Sequence, residues 1–152
     1  MKAYDVDQPQ PGALDIIIKV HATSVNSGDG HLRSGKPFIA RIFAGPIRPR
    51  QQTLGTTFSG TVVSTGTGVT RFRPGDEVFG ALGIKSGTYA EYIALNENEA
   101  VELKPDHLTH EDAVALVFGP LSALFFIQTA QLKKGEKILI IGASGGVGAY
   151  AV

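Results

Sequence analysis

The sequence predicts a mainly β fold that ends in a short α/β tail, and three observations support this assignment. Up to residue 108, short apolar segments alternate with glycine- and proline-rich turns, a pattern typical of strands. From Thr109 onward, the spacing of the apolar residues becomes helical. Close to the end, an apolar segment precedes a glycine-dense turn and an alanine-rich segment, the order of a strand, a turn and a helix. We therefore divide the chain into a β-rich domain (1–108), a helical connection (109–134) and the start of an α/β domain (135–152).

Composition limits the classes of function. The 152 residues are 43% hydrophobic, enough for one sizeable core. The formal net charge is zero, which gives no electrostatic support for nucleic-acid binding. Cysteine is absent, so disulfides and thiolate metal sites are excluded. No apolar run approaches the ~20 residues of a membrane span, and the N-terminus lacks the apolar core of a signal peptide. We therefore expect a cytoplasmic protein without a membrane span.

The β-rich part contains five predicted strands. In the first, Ile16, Ile18 and Val20 fall on one face by alternation. The small polar segment after it is interpreted as a loop, and the basic segment at 33–50 as a solvated loop. Tyr89 and Tyr92, three residues apart in one strand, are expected on opposite faces. The predicted strands are Asp15–Ala22, Phe58–Thr65, Glu77–Phe79, Gly87–Leu95 and Ala100–Leu103.

A helix is predicted over residues 110–131. Thr109, followed three residues later by Asp112, resembles a capping box. We expect a break near Gly119 and Pro120, because proline lacks the helical hydrogen-bond donor. His107 and His110 have the i, i+3 spacing of a helical metal pair, but they straddle the predicted cap. Two solvated histidines at the helix entry is the favoured interpretation.

The glycine-dense turn at 142–148 indicates a dinucleotide-binding loop. It follows a predicted buried strand, Lys137–Ile141, and precedes a helix, the context in which such loops bind a pyrophosphate. Gly145 would allow backbone approach to the pyrophosphate, and Gly148 would allow close packing of helix and strand. Backbone amides and a hydroxyl would come from Ser144, Gly146 and Val147. The alternative is that the glycines form only a turn.

Five segments together resemble the medium-chain dehydrogenase/reductase superfamily, and within it the zinc-independent quinone oxidoreductase (zeta-crystallin-like) branch. They are IIIKVHATSVNSGD, LGTTFSGTVVSTGTGVTRFRPGDEVFG, SGTYAEY, FGPLSAL and KILIIGASGGVG, in the order of the family. Ala143, in place of the first glycine of the usual loop motif, is the variant seen in this branch. The resemblance implies a GroES-like β-barrel catalytic domain followed by the first strand, glycine loop and helix start of a Rossmann domain, with the active site between the two.

The same resemblance implies a metal-free site. Zinc-dependent relatives have a cysteine in the loop corresponding to Ser24–Asp29 and a His-Glu pair where this chain has Thr56 and Thr57. Neither is present here, and zinc prefers sulfur and imidazole ligands. A quinone or conjugated enone can be reduced without zinc. The negative charge that hydride addition creates delocalises to a remote oxygen, which a hydrogen-bond donor stabilises.

The implied function is an NADPH-dependent, zinc-independent reductase that transfers hydride to a quinone or an α,β-unsaturated carbonyl. NADH is not excluded, because the residues that choose the cofactor lie ~20 residues beyond the loop. A non-catalytic relative, acting as a redox sensor or interaction module, is the alternative. Family members continue well past residue 152, so we interpret the chain as a fragment, expected to be inactive by itself and to belong to a homo-oligomer.

Two more residues acquire expected roles from the resemblance. Asn26 would lie near the nicotinamide or the substrate as the catalytic donor to a developing oxyanion, whereas the alternative is an Asx turn that only holds the loop. Ser122 would contact the nicotinamide side of the cofactor, or else only permit helix packing. Asp29 is expected to order the loop rather than move a proton, because it lies among turn-forming residues.

Overall fold

The computed structural model describes residues 5–34, 53–83 and 85–152, and these contain five strands and three helices. The strands are β1 (Asp15–Ala22), β2 (Thr57–Thr65), β3 (Glu77–Ala81), β4 (Tyr92–Asn96) and β5 (Val101–Leu103). The helices are α1 (Ser27–Ser34), α2 (His110–Ala130) and α3 (Gly148–Ala151). The predicted basic loop lies almost wholly outside the described residues.

The strands form one antiparallel sheet in the order β4-β1-β2-β3-β5. β1 pairs with both β2 and β4, and its register with β2 shifts between Val20 and Ala22. Gly60 pairs with Val20 there, and a Cβ at Gly60 would lie 2.1 Å from the Lys19 carbonyl oxygen. Only glycine therefore permits this close approach of β2 to the bulged strand.

The core lies on one face of this sheet, as the alternation in β1 predicts. Ile16 and Ile18 are fully buried in it, and Val20 packs at its edge. Ile17, on the other face, is also fully buried. The buried cluster comprises Ile16, Ile18, Phe58, Val62, Phe72, Val78, Leu82, Ile93, Leu95 and Val101.

The predicted strand over Gly87–Leu95 was wrong in its first half. Strand pairing begins only at Tyr92, so Tyr89 lies outside β4 and the argument about opposite faces does not apply. The N–H groups of Gly87 and Tyr89 donate to Gly55 and Leu54, which holds this segment against the chain that leads into β2. Gly87 has φ 144°, a conformation that breaks a regular strand.

Helix α1 replaces the predicted polar loop. It contains Gly28 and Gly30, which have low helix propensity, so residue preferences give little indication of it. A reciprocal cap stabilises its start. The Asn26 side-chain oxygen accepts the Gly28 N–H (2.8 Å), and Asp29 Oδ2 accepts the Asn26 N–H (3.0 Å).

Helix α2 is continuous, so the expected break near Gly119 and Pro120 was wrong. Proline deprives the Leu116 carbonyl of its helical donor, but Leu116 is exposed and water can hydrate that carbonyl. The predicted cap is confirmed. Thr109 Oγ1 accepts the Asp112 N–H (3.1 Å), and the helix begins at the next residue, His110.

Much of α2 is both apolar and exposed. Its exposed apolar side chains are Leu116, Phe118, Leu121, Leu124, Phe125 and Phe126. By length and composition alone the helix is able to cross a membrane, which corrects the expectation that no apolar stretch is long enough. This is weak evidence for a span, because central helices of water-soluble proteins meet the same criteria.

The tail departs from its predicted strand. Residues 137–141 pair with no strand among the described residues, and Leu139 and Ile141 are more than 80% exposed. The glycine turn and the helix start after it are present, with α3 beginning at Gly148. The glycine turn and α3 pack against α2 around Gly119.

A polar cluster fastens the start of α2 to the sheet. His110 Nδ1 lies 2.8 Å from Ser59 Oγ, which itself donates to the Val78 carbonyl. Glu77 Oε1 lies 3.4 Å from His110 Nε2, and its other oxygen lies 2.9 Å from the buried Lys104 ammonium. The ring of His21 on β1 is 4.6 Å from that of His110.

We expect the free energy of unfolding to fall as the pH is lowered from about 7 through the ordinary histidine pKa of 6.5, because of His110. Burial, with the nearby His21 and Lys104, lowers the pKa of His110 below its usual 6.5. As the pH falls through the pKa of this histidine in the unfolded chain, the unfolded chain binds a proton while the folded chain does not. The free energy of unfolding therefore decreases. Denaturant unfolding across this range measures the slope.

His110→Gln should flatten that slope. His107→Gln, at an exposed position three residues earlier, should leave it unchanged. Equal slopes in the His110 variant and the wild type would contradict the assignment.

Candidate active site

The junction between β1 and α1 presents one amide group to the surface of the domain. Asn26 Oδ1 is committed to the Gly28 N–H, so Nδ2 faces the other way and donates to Thr56 Oγ1 at 3.3 Å. The second Nδ2 hydrogen meets no acceptor among the described residues. The Asx-turn interpretation is therefore confirmed for the oxygen of Asn26, while its nitrogen keeps one N–H that no described residue accepts.

Asp29 lies beneath this amide and is 5% exposed. Its Oδ2 accepts the Asn26 N–H (3.0 Å) and the Tyr89 hydroxyl (2.9 Å), and Oδ1 accepts the Gly55 N–H (3.3 Å). Burial and the bond to this carboxylate raise the pKa of Tyr89 to about 12, so Tyr89 stays a donor at physiological pH.

Hydroxyl groups surround the same junction. Ser24 Oγ lies 2.7 Å from Thr57 Oγ1, and Thr23 Oγ1 donates to the Thr57 carbonyl at 2.7 Å. Thr23 also lies 2.9 Å from Thr88 Oγ1. Thr57 is therefore a buried anchor of the junction, whereas its neighbour Thr56 holds the Asn26 amide.

The glycine turn reaches this junction through helix α2. A Cβ at Gly119 would lie 2.2 Å from the Gly146 carbonyl oxygen and 2.9 Å from the Tyr150 ring. The absence of a side chain at Gly119 therefore allows the turn to rest directly on the helix. Gly148 has a similar role, since a Cβ there would lie 2.1 Å from the Gly142 carbonyl oxygen. The packing of helix against strand predicted for Gly148 stays a prediction, because residues 137–141 form no strand among the described residues.

Two adjoining clefts meet at Asn26. The strand cleft, of about 310 Å³, lies between the site junction, β3 and α2; it is lined by Asn26, Gly28, Thr56, Thr57, Ala81, Gly83, Val117 and Phe118. The glycine-turn cleft, of about 430 Å³, lies between the junction, α2 and the tail; it is lined by Ser24, Val25, Asn26, Ser27, Ala115, Phe118, Gly119, Gly146, Val147 and Tyr150. Asn26 and Phe118 line both clefts.

The structure brings together some of the predicted site residues. Asn26, Gly146 and Val147 line the glycine-turn cleft. Ser122, Ser144, Gly145 and Gly148 line neither cleft, so their predicted contacts with a cofactor stay predictions.

Sequence reasoning missed several lining residues, among them Phe118, Gly119 and Tyr150. Glycine before proline in a helix was the available signal for Gly119, since such a glycine often marks close packing. No sequence signal marks Phe118, because an aromatic residue in a helix is usually core.

The two histidines at the helix entry differ from the expectation of a solvated pair. His107 is exposed, but His110 is mostly buried and bonded to Ser59. The prediction was wrong for His110 because Ser59 and Glu77 come from distant strands. Within the described ranges, no group of three or more His, Cys, Asp or Glu side chains is arranged to hold a metal ion.

The family model for the alcohol dehydrogenase GroES-like domain matches residues 12–106. The chain belongs to this family. The sheet, the junction at Asn26 and the Asp29 network all lie within the matched part of this GroES-like domain. The predicted division at residue 108 stays a prediction.

Relatives of this GroES-like protein include oxidoreductases. It is 39% identical over 151 residues to mouse NAD(P)H oxidoreductase RTN4IP1, mitochondrial, and 37% identical over 147 residues to rat quinone oxidoreductase. These alignments cover 91% and 95% of this chain but 38% and 41% of the relatives.

A solved structure, the quinone oxidoreductase from Coxiella burnetii, superposes with a TM-score of 0.86 at 33% identity, covering 99% of this chain and 47% of that one. The predicted resemblance to the quinone oxidoreductases of the medium-chain superfamily is thus confirmed.

Gly119→Ala should detach the glycine turn from α2 while leaving the helix intact. Alanine favours a helix over glycine by about 1 kcal/mol, so amide protection within α2 should hold or rise. The new methyl group cannot fit against the Gly146 carbonyl, so hydrogen exchange at residues 142–152 should accelerate. Hydrogen–deuterium exchange resolved by residue measures both.

Gly30→Ala in α1 is the matched control, because a Cβ at Gly30 would meet nothing within 4 Å. Unchanged exchange in the tail of the Gly119 variant would contradict the packing described above.

Proposed function

We propose that this chain is part of a zinc-independent, NADPH-dependent reductase that transfers hydride to a quinone or an α,β-unsaturated carbonyl. One observation carries the proposal: a single amide donor, Asn26, lines two adjoining clefts. A cofactor in one cleft and an acceptor in the other would meet at this amide. The names and similarity of the relatives support the reaction class.

The strand cleft suits a flat, mostly apolar acceptor. Ala81, Val117 and Phe118 give it apolar walls, and the side chains of Asn26 and Thr56 provide the polar groups. Hydride addition to a quinone or enone places negative charge on the oxygen remote from the attacked carbon. The free N–H of Asn26 would donate to that oxygen as the charge develops.

The glycine-turn cleft fits part of a dinucleotide. Gly146 and Val147 line it, and their backbone N–H groups donate to no described residue, which leaves them available to an anion such as a pyrophosphate. When bound, NADPH supplies the hydride from its nicotinamide ring. Gly146 and Val147 would hold the phosphates, and Asn26 would lie beside both clefts. The choice of NADPH over NADH rests on the resemblance alone.

Metal-free chemistry is part of the proposal and rests on side-chain chemistry. Thr56 binds the Asn26 amide, and Thr57 is buried and bonded to Ser24, so both hydroxyls already have partners in the junction. Hydroxyl and amide groups of this kind are poor zinc ligands compared with thiolate and imidazole. Stabilisation of the acceptor oxygen therefore falls to hydrogen bonding. The predicted cytoplasmic location and homo-oligomeric state are proposed with it.

Asn26→Ala in the longer protein that contains this chain should lower kcat for quinone reduction about 100-fold, the usual cost of removing one oxyanion donor. Steady-state NADPH oxidation with quinones and enones measures it. Asn26→Ser keeps an N-cap oxygen for Gly28 but loses the amide, so it should fold normally and lose similar activity. Asn98→Ala, in an exposed turn, is the control and should be fully active.

Saturable NADPH binding without turnover on any quinone or enone would overturn the proposed reaction. That result would favour the alternative, a non-catalytic relative that acts as a redox sensor or interaction module. Full activity of Asn26→Ala would contradict the role of Asn26 but not the proposed class of reaction.

A further inference from the structure

Asp29 and Tyr89 lie outside both clefts, yet they connect directly to the residue that both clefts share. We infer that Asp29 and the Tyr89 hydroxyl form a positioning pair that holds the Asn26 amide in place for the reaction. The inference rests on the proposed function, because it assigns a role in the chemistry of that site.

The carboxylate of Asp29 joins three segments of the chain. Asp29 is 5% exposed, and its three donors come from three separate segments of the chain: Asn26, Gly55 and Tyr89. A buried carboxylate without such donors would be costly, so its bonds hold these segments at fixed distances. The backbone of Asn26 is one of the three points that it holds.

The backbone position of Asn26 determines the direction of its side-chain amide. With the backbone N–H bound to Asp29, the side-chain oxygen reaches the Gly28 N–H. This leaves Nδ2 directed towards Thr56 and the clefts. The Gly55 N–H, bound to the same carboxylate, immediately precedes Thr56 in the chain. Asp29 therefore sets both the Asn26 donor and the hydroxyl that orients it.

The Tyr89 hydroxyl holds one oxygen of the Asp29 carboxylate. Oδ2 of Asp29 accepts from Asn26 and Tyr89 together, so Tyr89 determines where this oxygen lies. The tyrosine hydroxyl also lies 3.5 Å from the carbonyl oxygen of Ser24, two residues after the end of β1. Removal of this hydroxyl would let the carboxylate rotate towards Gly55, which would disturb the hydrogen bond from the Asn26 backbone N–H to Asp29.

Two readouts separate this role from general loop stability. The first is the NMR spectrum of the 152-residue chain, which requires no activity. Tyr89→Phe should shift the amide signals of Asn26, in backbone and side chain, together with that of Gly55. Tyr92→Phe, the same chemical change on β4, should leave these signals unchanged, since Tyr92 is outside the network.

The second readout is a double-mutant cycle on kcat in the longer protein. Tyr89→Phe alone should lower kcat about tenfold with little change in KM for NADPH, because Asp29 loses one of the hydrogen bonds that fix its position beneath the Asn26 backbone. In the Asn26→Ala background the same change should cost nothing further, because a residue that acts through Asn26 has no effect once Asn26 is gone.

The outcomes are distinct. Equal losses from Tyr89→Phe in both backgrounds would show a merely structural role and overturn the inference, as would unshifted Asn26 and Gly55 signals. Asp29→Asn should shift the same signals as Tyr89→Phe, because its amide turns a donor towards one of the three N–H and O–H groups. Failure of that variant to fold leaves the tyrosine cycle decisive. Shifted signals without any turnover in the wild type would contradict the proposed reaction, but they would support the link from Tyr89 through Asp29 to Asn26.

Discussion

The buried carboxylate of Asp29 is the constraint on which the candidate site depends. A charge with 5% exposure needs partners, and here the partners come from the chain after β1, the chain before β2 and the chain before β4. These three segments are irregular, so the sheet alone does not determine where they lie. Their positions are determined by their common hydrogen bonds to one carboxylate. These bonds join the three segments into one junction, which carries Asn26.

The side of the site formed by α2 and the glycine turn depends on Gly119, which has no side chain. The Gly146 carbonyl and the Tyr150 ring therefore occupy the space on helix α2 that a methyl group would fill. The helix in turn is fastened at its start by the bond between His110 and Ser59. One end of α2 is thus tied to the sheet, and its middle supports the glycine turn. This geometry places Gly146 and Val147 beside Asn26, although both lie more than 100 residues after Asn26 in the chain.

Local patterns predicted well the elements that depend on local preference. β1 has its predicted bounds, and the Thr109 cap starts α2 as expected, because alternation and capping act over a few residues. Helix α1 was missed because two glycines hide it, and it is stabilised by the cap that Asn26 and Asp29 form. The strand at 137–141 was predicted from its apolar residues, but a strand forms only with a partner to accept its hydrogen bonds. None is present among the described residues.

The sequence by itself determined the family and most of the strand positions, and it predicted a role for Asn26 that stays a prediction. It did so because five segments in a set order identify the family, and because period-two alternation is a local property. Only the tertiary structure decided that Asn26 is both a helix cap and a cleft donor, and that Tyr89 and Gly55 share its carboxylate. Those contacts join residues as many as 60 positions apart. Such long-range contacts leave no periodic trace in the sequence, because they depend on how the strands bring their connecting segments together.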